Sequence, residues 1–421
     1  MPGQMLRGVQ AWLLALVLAG TIGALYLRPW GAKDWQVALA GGAAAWVLGP
    51  LGLRGGIEVA AESANIAAFF FGLMLVAAGA EAAGLYARVA LLLGRVRGGR
   101  GRVAVVLGLG TLITAVLSND ATPLVLTPAI FVAGAATARA TTDAAFAATF
   151  AADGASLLLP VSNPVNLLYY ERFEPGFDGY LRTVTPAALA GIAAMAVVTW
   201  LRTPRERAAP EEARHLALER PAWPAMLAAG LLAVGYVVAG MRGWPLGAVT
   251  VAGGLAMGVA ARAGGPIDAR RYRAHIAPGV LVFVASLMVL AESVVQAGSL
   301  DWLGGLLGWL EEQPTALTIA GAAVAAAVLS NLVNNWPAAL LLAATIGARP
   351  GEHEALVVGV LIGWASGANF TMVASLITVF WVSVARQHGA SYGALRYARR
   401  AFLPTLAGMA AAVLAASMVV G

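Results

Sequence analysis

Cysteine is absent from the 421-residue sequence, and lysine occurs only once, at Lys33. The lack of cysteine excludes disulfides, thiol redox chemistry and thiolate metal ligands. The four histidines, at positions 215, 275, 353 and 388, lie in predicted loops or at predicted helix ends, which argues against a metal site or histidine proton relay inside a membrane. No GxxxxGK[ST] phosphate-binding loop is present, so the chain does not hydrolyse ATP itself. We expect no metal and no cofactor.

Charged residues are also scarce, at 11% of the chain, whereas 60% of the residues are hydrophobic. The mean hydropathy of +0.78 is typical of a polytopic membrane protein, and no stretch is left over for a soluble domain. The net charge of +6 is carried almost entirely by arginine. In a membrane protein, clustered arginines indicate loop orientation rather than nucleic-acid binding. The sequence therefore predicts an all-α, multi-pass protein of the inner (plasma) membrane, with the lipid bilayer as its surroundings.

The apolar runs predict a series of elements that occurs twice. In the first half we expect spans at about 9–27, 36–53 and 65–84, a short piece at 86–97, a hairpin at 103–138, an interrupted element at 143–169 and a span at 184–201. In the second half the corresponding elements are 222–240, 245–262, 279–298, 300–311, 315–346, 354–385 and 402–420. This pattern divides the chain into a first inverted repeat at 1–201, a cytoplasmic linker at 202–221 and a second inverted repeat at 222–421.

Three pairs of positions support the repeat, because each pair is 212 residues apart: 118 and 330, 153 and 365, and 163 and 375. Each half would contain five crossings and one re-entrant hairpin, and an odd number of crossings inverts the second half. The distribution of arginines also indicates that the second half is inverted. Loop 94–102 carries four arginines, whereas its counterpart at 306–313 carries Glu311 and Glu312 and no arginine. Under the positive-inside rule these loops lie on opposite sides, and both termini are extracytoplasmic.

The stretch 117–123 reads Leu-Ser-Asn-Asp-Ala-Thr-Pro and separates two apolar runs, 103–117 and 124–138. We expect each run to be too short to span a bilayer, which takes about 20 residues. Exposed backbone and an acid are costly in hydrocarbon, so a polar tip survives only where it lines a wet cavity inside the protein. The pattern favours a re-entrant helical hairpin whose tip faces a substrate site, as does its counterpart at 328–337.

Polar side chains at the tips and at the helix breaks are the predicted site. The predicted substrate contacts are Ser118, Asn119, Asn163, Asn166, Asn334, Asn335, Asn369 and Ser375. The predicted proton-coupling acids are Asp120 and Asp153, because desolvation raises the pKa of a carboxyl group toward neutral pH. Alternatively, the amides and hydroxyls only satisfy backbone groups at the breaks, and the acids cap half-helices or pair with an asparagine. No arginine or lysine lies in these segments, which favours a neutral polyol-like substrate or a small cation over an anion.

The same residues resemble the arsenite efflux permease family (arsenical pump membrane proteins) of the ion transporter superfamily. The resemblance is carried by Asn119-Asp120, Leu126-Thr127-Pro128, Ala152-Asp153, Ser162-Asn163, Val165-Asn166, Asn334-Asn335, Pro337, Gly363 and Ser375-Leu376. It implies an inverted-repeat fold with two hairpins and two broken helices, and export of arsenite or antimonite, as the neutral trihydroxide, in exchange for protons. Family members work alone or with a soluble ATPase subunit, so such a subunit is a candidate partner. The family pattern has an acid and a lysine where this chain has Ala365 and Asn369.

Other functions remain open at this point. A sodium/proton antiporter or a small-anion symporter, for a dicarboxylate or sulfate, could use the same scaffold. A channel or a structural membrane subunit belongs to a different class, and the paired broken helices argue against a simple channel because they are typical of alternating access. The sequence contains no recognisable nucleophile–base pair, so we do not expect an enzyme.

Overall fold

The computed structural model describes residues 2–96, 98–119, 121–133, 138–205, 223–347, 353–372, 374, 378, 381–382, 385–386, 390 and 392–420. The regular structure of these residues is helical, which confirms the predicted all-α class. The first half contains α1 (Pro2–Leu27), α2 (Asp34–Leu48), α3 (Gly52–Glu62), α4 (Ala64–Ala82), α5 (Leu85–Arg95), α6 (Gly99–Leu117), α7 (Ala121–Ala133), α8 (Ala138–Gly154), α9 (Pro164–Phe173), α10 (Gly176–Thr183) and α11 (Thr185–Arg202). The second half contains α12 (Trp223–Arg242), α13 (Leu246–Ala263), α14 (Ala269–Ala274), α15 (Gly279–Gln296), α16 (Asp301–Glu311), α17 (Thr315–Val333), α18 (Asn335–Ile346), α19 (Glu354–Gly367) and α20 (Ala394–Ser417).

Nine helical segments of the described residues are long and apolar enough to cross a membrane. Large apolar side chains on the outer surface, such as Leu27, Val47 and Met418, are more than four-fifths exposed, as expected of a lipid-facing surface. The predicted multi-pass membrane protein is therefore confirmed. Most of the predicted linker, residues 206–221, lies outside the described residues, and the division into two inverted repeats remains a prediction.

The first hairpin differs from the prediction in its first arm. Helix α6 has 19 residues and could span a membrane by length and composition, so the expectation that both arms are too short was wrong for this arm. The helix begins at Gly99, before the apolar run, because the segment that carries Arg100 and Arg102 is itself helical. The described part of the second arm, α7, has 13 residues.

Three short helices, α3, α10 and α14, occupy stretches that were predicted to be loops. Their sequences mix charged residues with apolar residues, and those of α3 and α10 also contain glycine. Short amphipathic helices of this kind lie at the edge of a membrane and have low overall hydrophobicity, so a reading based on apolar runs misses them.

The order and length of the helices repeat between the halves. Helices α6 and α17 both have 19 residues and begin 216 positions apart, at Gly99 and Thr315. Helices α5 and α16 both have 11 residues and begin at the same separation, at Leu85 and Asp301. The equivalence of these elements supports an internal repeat, while the inverted orientation of the second half remains a prediction.

The halves pack against each other through glycines at equivalent positions. Helix α2 packs on α15, where a Cβ on Gly42 would lie 2.5 Å from the carbonyl oxygen of Ser286. Helix α4 packs on α13, where a Cβ on Gly254 would lie 2.8 Å from the carbonyl oxygen of Gly72. Only a residue without a side chain allows such close backbone approach between helices. Helices α2, α15, α4 and α13 thus form a framework, and the hairpins and broken helices pack beside it.

Each hairpin packs on the broken helix of its own half, α6 on α8 and α17 on α19. A Cβ on Gly363 in α19 would overlap the carbonyl oxygen of Ala323 and lie 2.6 Å from its Cα. In the first half the glycine lies on the hairpin and the alanine on the broken helix. A Cβ on Gly110 in α6 would lie 2.5 Å from the Cβ of Ala151 in α8. Helices α11 and α20 pack together and complete this second layer.

Candidate functional site

Both hairpin tips have a strained backbone at the end of the first arm. Ser118 has φ of 82° and Asn334 has φ of 76°, a region that residues with a side chain rarely adopt. Both residues have ψ of 157°. Such outliers persist only where the surrounding structure holds them, and they are concentrated at functional sites. The two tips therefore have the same conformation, with Ser118 and Asn334 as equivalent positions.

This equivalence corrects the alignment of the two tips. We expected Ser118 to correspond to Ser330, at an offset of 212, but the structural counterpart is Asn334, at an offset of 216. The shift of four positions is about one helical turn, so Ser330 and Asn331 lie inside α17 instead of at the tip. The repeated Ser-Asn pair suggested the wrong alignment, because identical polar residues one turn apart match as well as the true pair.

Each tip docks on the break of its neighbouring broken helix through one backbone hydrogen bond. The N–H of Asn119 donates to the carbonyl of Ser162 at 2.9 Å, and the N–H of Asn335 donates to the carbonyl of Ala374 at 2.9 Å. The predicted association of tips and breaks is therefore present in both halves. The breaks also meet each other, since α8 and the 3₁₀ turn Ala155–Leu157 contact α19.

The first break, between α8 and α9, is built from two 3₁₀ turns at Ala155–Leu157 and Pro160–Ser162. Asn163 caps α9, because its side-chain oxygen accepts from the N–H of Val165 at 3.0 Å. The amide nitrogen of Asn166 donates to the carbonyls of Ser156 and Leu159. Much of the hydrogen-bonding capacity predicted for substrate at this break is thus used to hold the break itself, and the side-chain oxygen of Asn166 is left without a partner among the described residues.

At the second break, buried polar side-chain atoms lack hydrogen-bond partners among the described residues. Asn369 lies in the 3₁₀ turn Ala368–Phe370, is fully buried, and has no hydrogen-bond partner for either side-chain amide atom among the described residues. The hydroxyl of Thr378, also fully buried, lies beside the hydroxyl of Tyr397 in α20. At the tip, the side-chain oxygen of buried Asn335 is likewise unsatisfied within the described part of the chain. Buried polar groups almost always have a partner, so such a cluster indicates the place of a polar ligand or of ordered water.

Asp153 lies at the end of α8, directly before the first break, and is only 2% exposed. Its carbonyl accepts from the hydroxyl of Ser156 at 2.6 Å. Its side chain is close enough to the buried hydroxyl of Tyr397 in α20 to interact with it electrostatically, and Thr149 lies beside the same hydroxyl. The predicted acid is therefore inside the protein, among hydroxyls. The other predicted acid, Asp120, and the predicted contact Ser375 lie outside the described residues.

A cavity of about 490 Å³ leads toward the two tips. Its inner end is lined by Leu117 and Ala121, on either side of the first tip, and by Trp336, which follows Asn335 at the second. The ring of Trp336 lies 5.0 Å from that of Phe70. The outer end is lined by Lys33, Asp34 and His275. The cavity thus connects one surface of the protein to the region where tips and breaks meet.

Sequence reasoning missed three residues that shape this region. The amide nitrogen of Asn331 donates to the carbonyls of Ala327 at 2.7 Å and Gly367 at 2.9 Å, which ties α17 to the end of α19. The indole N–H of Trp364 donates to the carbonyl of Asn335 at 3.1 Å. Tyr397, from the distant helix α20, interacts electrostatically with Asp153, and nothing in the sequence signals that proximity. The correct alignment of the tips would have identified Asn331 as a residue within the arm.

Paired hairpins that dock on paired broken helices, beside a framework of packed spans, define the class of this protein as a multi-pass membrane transporter. Residues 11–368 match the model of the citrate transporter family (CitMHS), and the chain belongs to that family. The arsenical pump membrane protein of Yersinia enterocolitica is 29% identical over 357 residues, which cover 81% of this chain and 83% of that protein. The protein of the same name from Escherichia coli (strain K12) is 28% identical over 360 residues, with the same coverage.

These relatives confirm the predicted resemblance to arsenical pump membrane proteins within the ion transporter superfamily. Among solved structures, the Alcanivorax borkumensis YdaH transporter, described as having an unusual topology, superposes with a TM-score of 0.58. The match covers 97% of this chain and 98% of that one at 15% sequence identity, so it establishes the fold alone.

Proposed function

We propose that this protein exports arsenite or antimonite, as the neutral trihydroxide, in exchange for protons. Its relatives are named arsenical pump membrane proteins, and they match most of the chain. The observation that carries the proposal is Asn369, whose buried amide has both a donor and an acceptor without partners among the described residues. A trihydroxide needs both kinds of group, because each of its hydroxyls donates and accepts.

The charge of the site agrees with a neutral substrate. No arginine or lysine occurs in the hairpins 103–138 and 315–346 or in the broken helices 143–169 and 354–385. Recognition of a carboxylate or sulfate normally uses such a cation. We propose that the contacts come from Ser118, Asn119, Asn163, Asn166, Asn334, Asn335, Asn369 and Ser375. Asn369 and Asn335 are proposed as the strongest because their side chains have the fewest hydrogen bonds among the described residues.

Asp153 and Asp120 are the proposed proton carriers. A carboxyl group that is cut off from bulk water is stable when protonated and costly when ionised, so it can release its proton only when a path to water opens. Alternating access provides such a path on each side in turn. In this scheme a proton binds to the acid from outside and is released to the cytoplasm after the site has opened to that side. The trihydroxide then binds from the cytoplasm and is carried outward.

The described cavity is suited to the loading step. Its outer end is formed by the 28–35 loop and by His275, and the arginine distribution predicts both to be cytoplasmic. Its inner end is apolar, with Leu117, Phe70 and Trp336, so an uncharged solute crosses it at lower cost than an ion. Trp336 is either the inner gate or a packing residue, and its contact with Phe70 fits both roles.

A carboxylate symporter is the second candidate, and the description of the matched family as citrate transporters favours it. This function would need a co-transported cation, because three carboxylates would otherwise meet a site with no basic side chain. The alternative therefore predicts a strict sodium requirement, which the proposed exporter does not have.

Transport into everted membrane vesicles separates the two candidates. We expect an imposed pH gradient, acid inside, to drive uptake of arsenite or antimonite without sodium, with little competition from citrate, succinate or sulfate. Reconstitution of the purified chain alone tests whether a soluble ATPase subunit is required. Sodium-dependent citrate uptake with no metalloid flux would reject the exporter and establish the symporter.

A further inference from the structure

A second cavity, of about 1090 Å³, lies away from the proposed transport site, between the starts of α8 and α20 and the end of α11. Five arginines line it, Arg139, Arg202, Arg396, Arg399 and Arg400, together with a single acid, Asp143. The cavity is therefore strongly positive, although the neighbouring spans carry few charges.

Asp143 does not neutralise this charge. Its carboxylate is already paired with the guanidinium of Arg400, which also lies over the ring of Phe146 with its central carbon 5.6 Å from the ring centre. Among the described residues, no ion pair involves Arg139, Arg396 or Arg399, and all three side chains are exposed to the cavity or its mouth. The arrangement leaves a cluster of guanidinium groups that face the same space and repel one another in the absence of an anion.

The walls of the cavity are apolar where they enter the bundle. Phe146 and Phe150, each 2% exposed, form its floor, and Leu395 and Pro404 contribute to its side. The floor is rigid, since Phe146 packs with its ring centre 5.2 Å from that of Tyr397 and 5.1 Å from that of Trp381. A ligand that matches this cavity carries negative charge at one end and hydrocarbon at the other.

The position of the cavity identifies such a ligand. It lies where one membrane-crossing helix ends, α11 at Arg202, and another begins, α20 at Ala394. The arginine-rich loops predict this side to be cytoplasmic. Basic pockets between helices at this depth are suited to lipid head groups. We propose that this cavity binds the phosphate head group of an anionic membrane phospholipid, with Arg396 and Arg399 as its main contacts and the apolar walls against its acyl chains.

Thermal unfolding of the purified full-length protein in neutral detergent, with added lipid, tests this site. Cardiolipin or phosphatidylglycerol should raise the unfolding temperature, and phosphatidylcholine should not. The double variant Arg396→Gln/Arg399→Gln should need roughly thirtyfold more anionic lipid for half of the effect, because each arginine near an anionic surface contributes about fivefold. Arg396→Lys/Arg399→Lys should retain most of the response, which separates loss of charge from damage to the fold.

The matched control removes two arginines from another loop that is predicted to lie on the same face. Arg270 and Arg273 are carried by the short helix α14 and do not line the cavity. Arg270→Gln/Arg273→Gln should leave the lipid response unchanged. An equal loss in this control would show general attraction of charge to the membrane surface and would overturn the proposal. Equal protection by inorganic phosphate or by phosphatidylcholine would also overturn it, since the site would then not require an anionic lipid.

Discussion

The two broken helices present different chemistry at equivalent places in the fold. The first break has an acid, Asp153, and asparagines that bond to its own backbone, at Val165 N–H and the Ser156 carbonyl. The second has Ala365 at the position of the acid and, in Asn369, an amide without partners among the described residues. The comparison supports the proposal that the first break carries the proton and that the second makes the strongest contacts with the substrate.

The largest expected effect concerns the contact between the hairpin and the broken helix of the second half. Gly363→Ala should abolish or greatly reduce folded protein, because the new Cβ overlaps the Ala323 carbonyl, and backbone cannot move aside as a side chain can. Overpacking of this kind costs about 1–3 kcal/mol or more. Yield and thermal unfolding of the purified variant measure it.

The control for Gly363 is Gly230 in α12, where an added Cβ would have no neighbouring atom within 4 Å. Gly230→Ala should be neutral or slightly stabilising, since alanine favours a helix by up to about 1 kcal/mol over glycine. Normal yield and stability of Gly363→Ala would show that α17 and α19 are less tightly packed than the structure indicates, and that the second break is free to move.

The next prediction tests the proton-carrying role of the first half. Asp153→Asn should remove most of the pH-driven metalloid flux and leave the protein folded, because it replaces a costly buried acid with a neutral side chain of similar size. Asp120→Asn should act in the same direction. Flux into vesicles at several imposed pH gradients measures both variants.

Asp178 provides the matched control, because it is an exposed acid that pairs with Arg182 at 2.5 Å within α10. Asp178→Asn should transport normally. If the double variant Asp120→Asn/Asp153→Asn kept its full pH dependence, neither acid would carry the coupled proton, and the proposed division between the two breaks would fail.

The third prediction tests the binding role of the second half with two asparagines near one another. Asn369→Ala should weaken the apparent affinity for arsenite about tenfold with little loss of stability, because its amide makes no hydrogen bond to the described protein. Asn331→Ala should instead cost about 1–3 kcal/mol of stability, since it leaves the carbonyl of Gly367 without its side-chain donor. Concentration dependence of transport and thermal unfolding, measured on both variants, separate the roles. The reverse pattern would make Asn369 a structural residue.

The broad architecture was accessible from the sequence because apolar runs and their interruptions follow from the membrane itself. The second hairpin, predicted at 315–346, matches the bounds of α17 and α18. The alignment of the tips was not accessible, because it depends on where the backbone reverses, at Ser118 and Asn334, and not on which side chains recur. Likewise, Asn163, whose side-chain oxygen caps α9, and Asn369, whose amide has no partner among the described residues, look alike in a sequence. Only their surroundings in the fold distinguish them.

The smallest expected effect distinguishes the two tips. The side-chain oxygen of Asn119 already accepts from the hydroxyl of Ser118 at 3.2 Å, whereas that of Asn335 has no partner among the described residues. Asn335→Ala should therefore weaken the apparent affinity about fivefold, the equivalent of one hydrogen bond of ~1 kcal/mol, and Asn119→Ala should weaken it less. Both variants keep the backbone N–H that holds the tip to its break, at Ser162 or Ala374, so their folds should be unchanged. A larger loss for Asn119→Ala than for Asn335→Ala would place the substrate against the first half and reverse the roles assigned to the two halves.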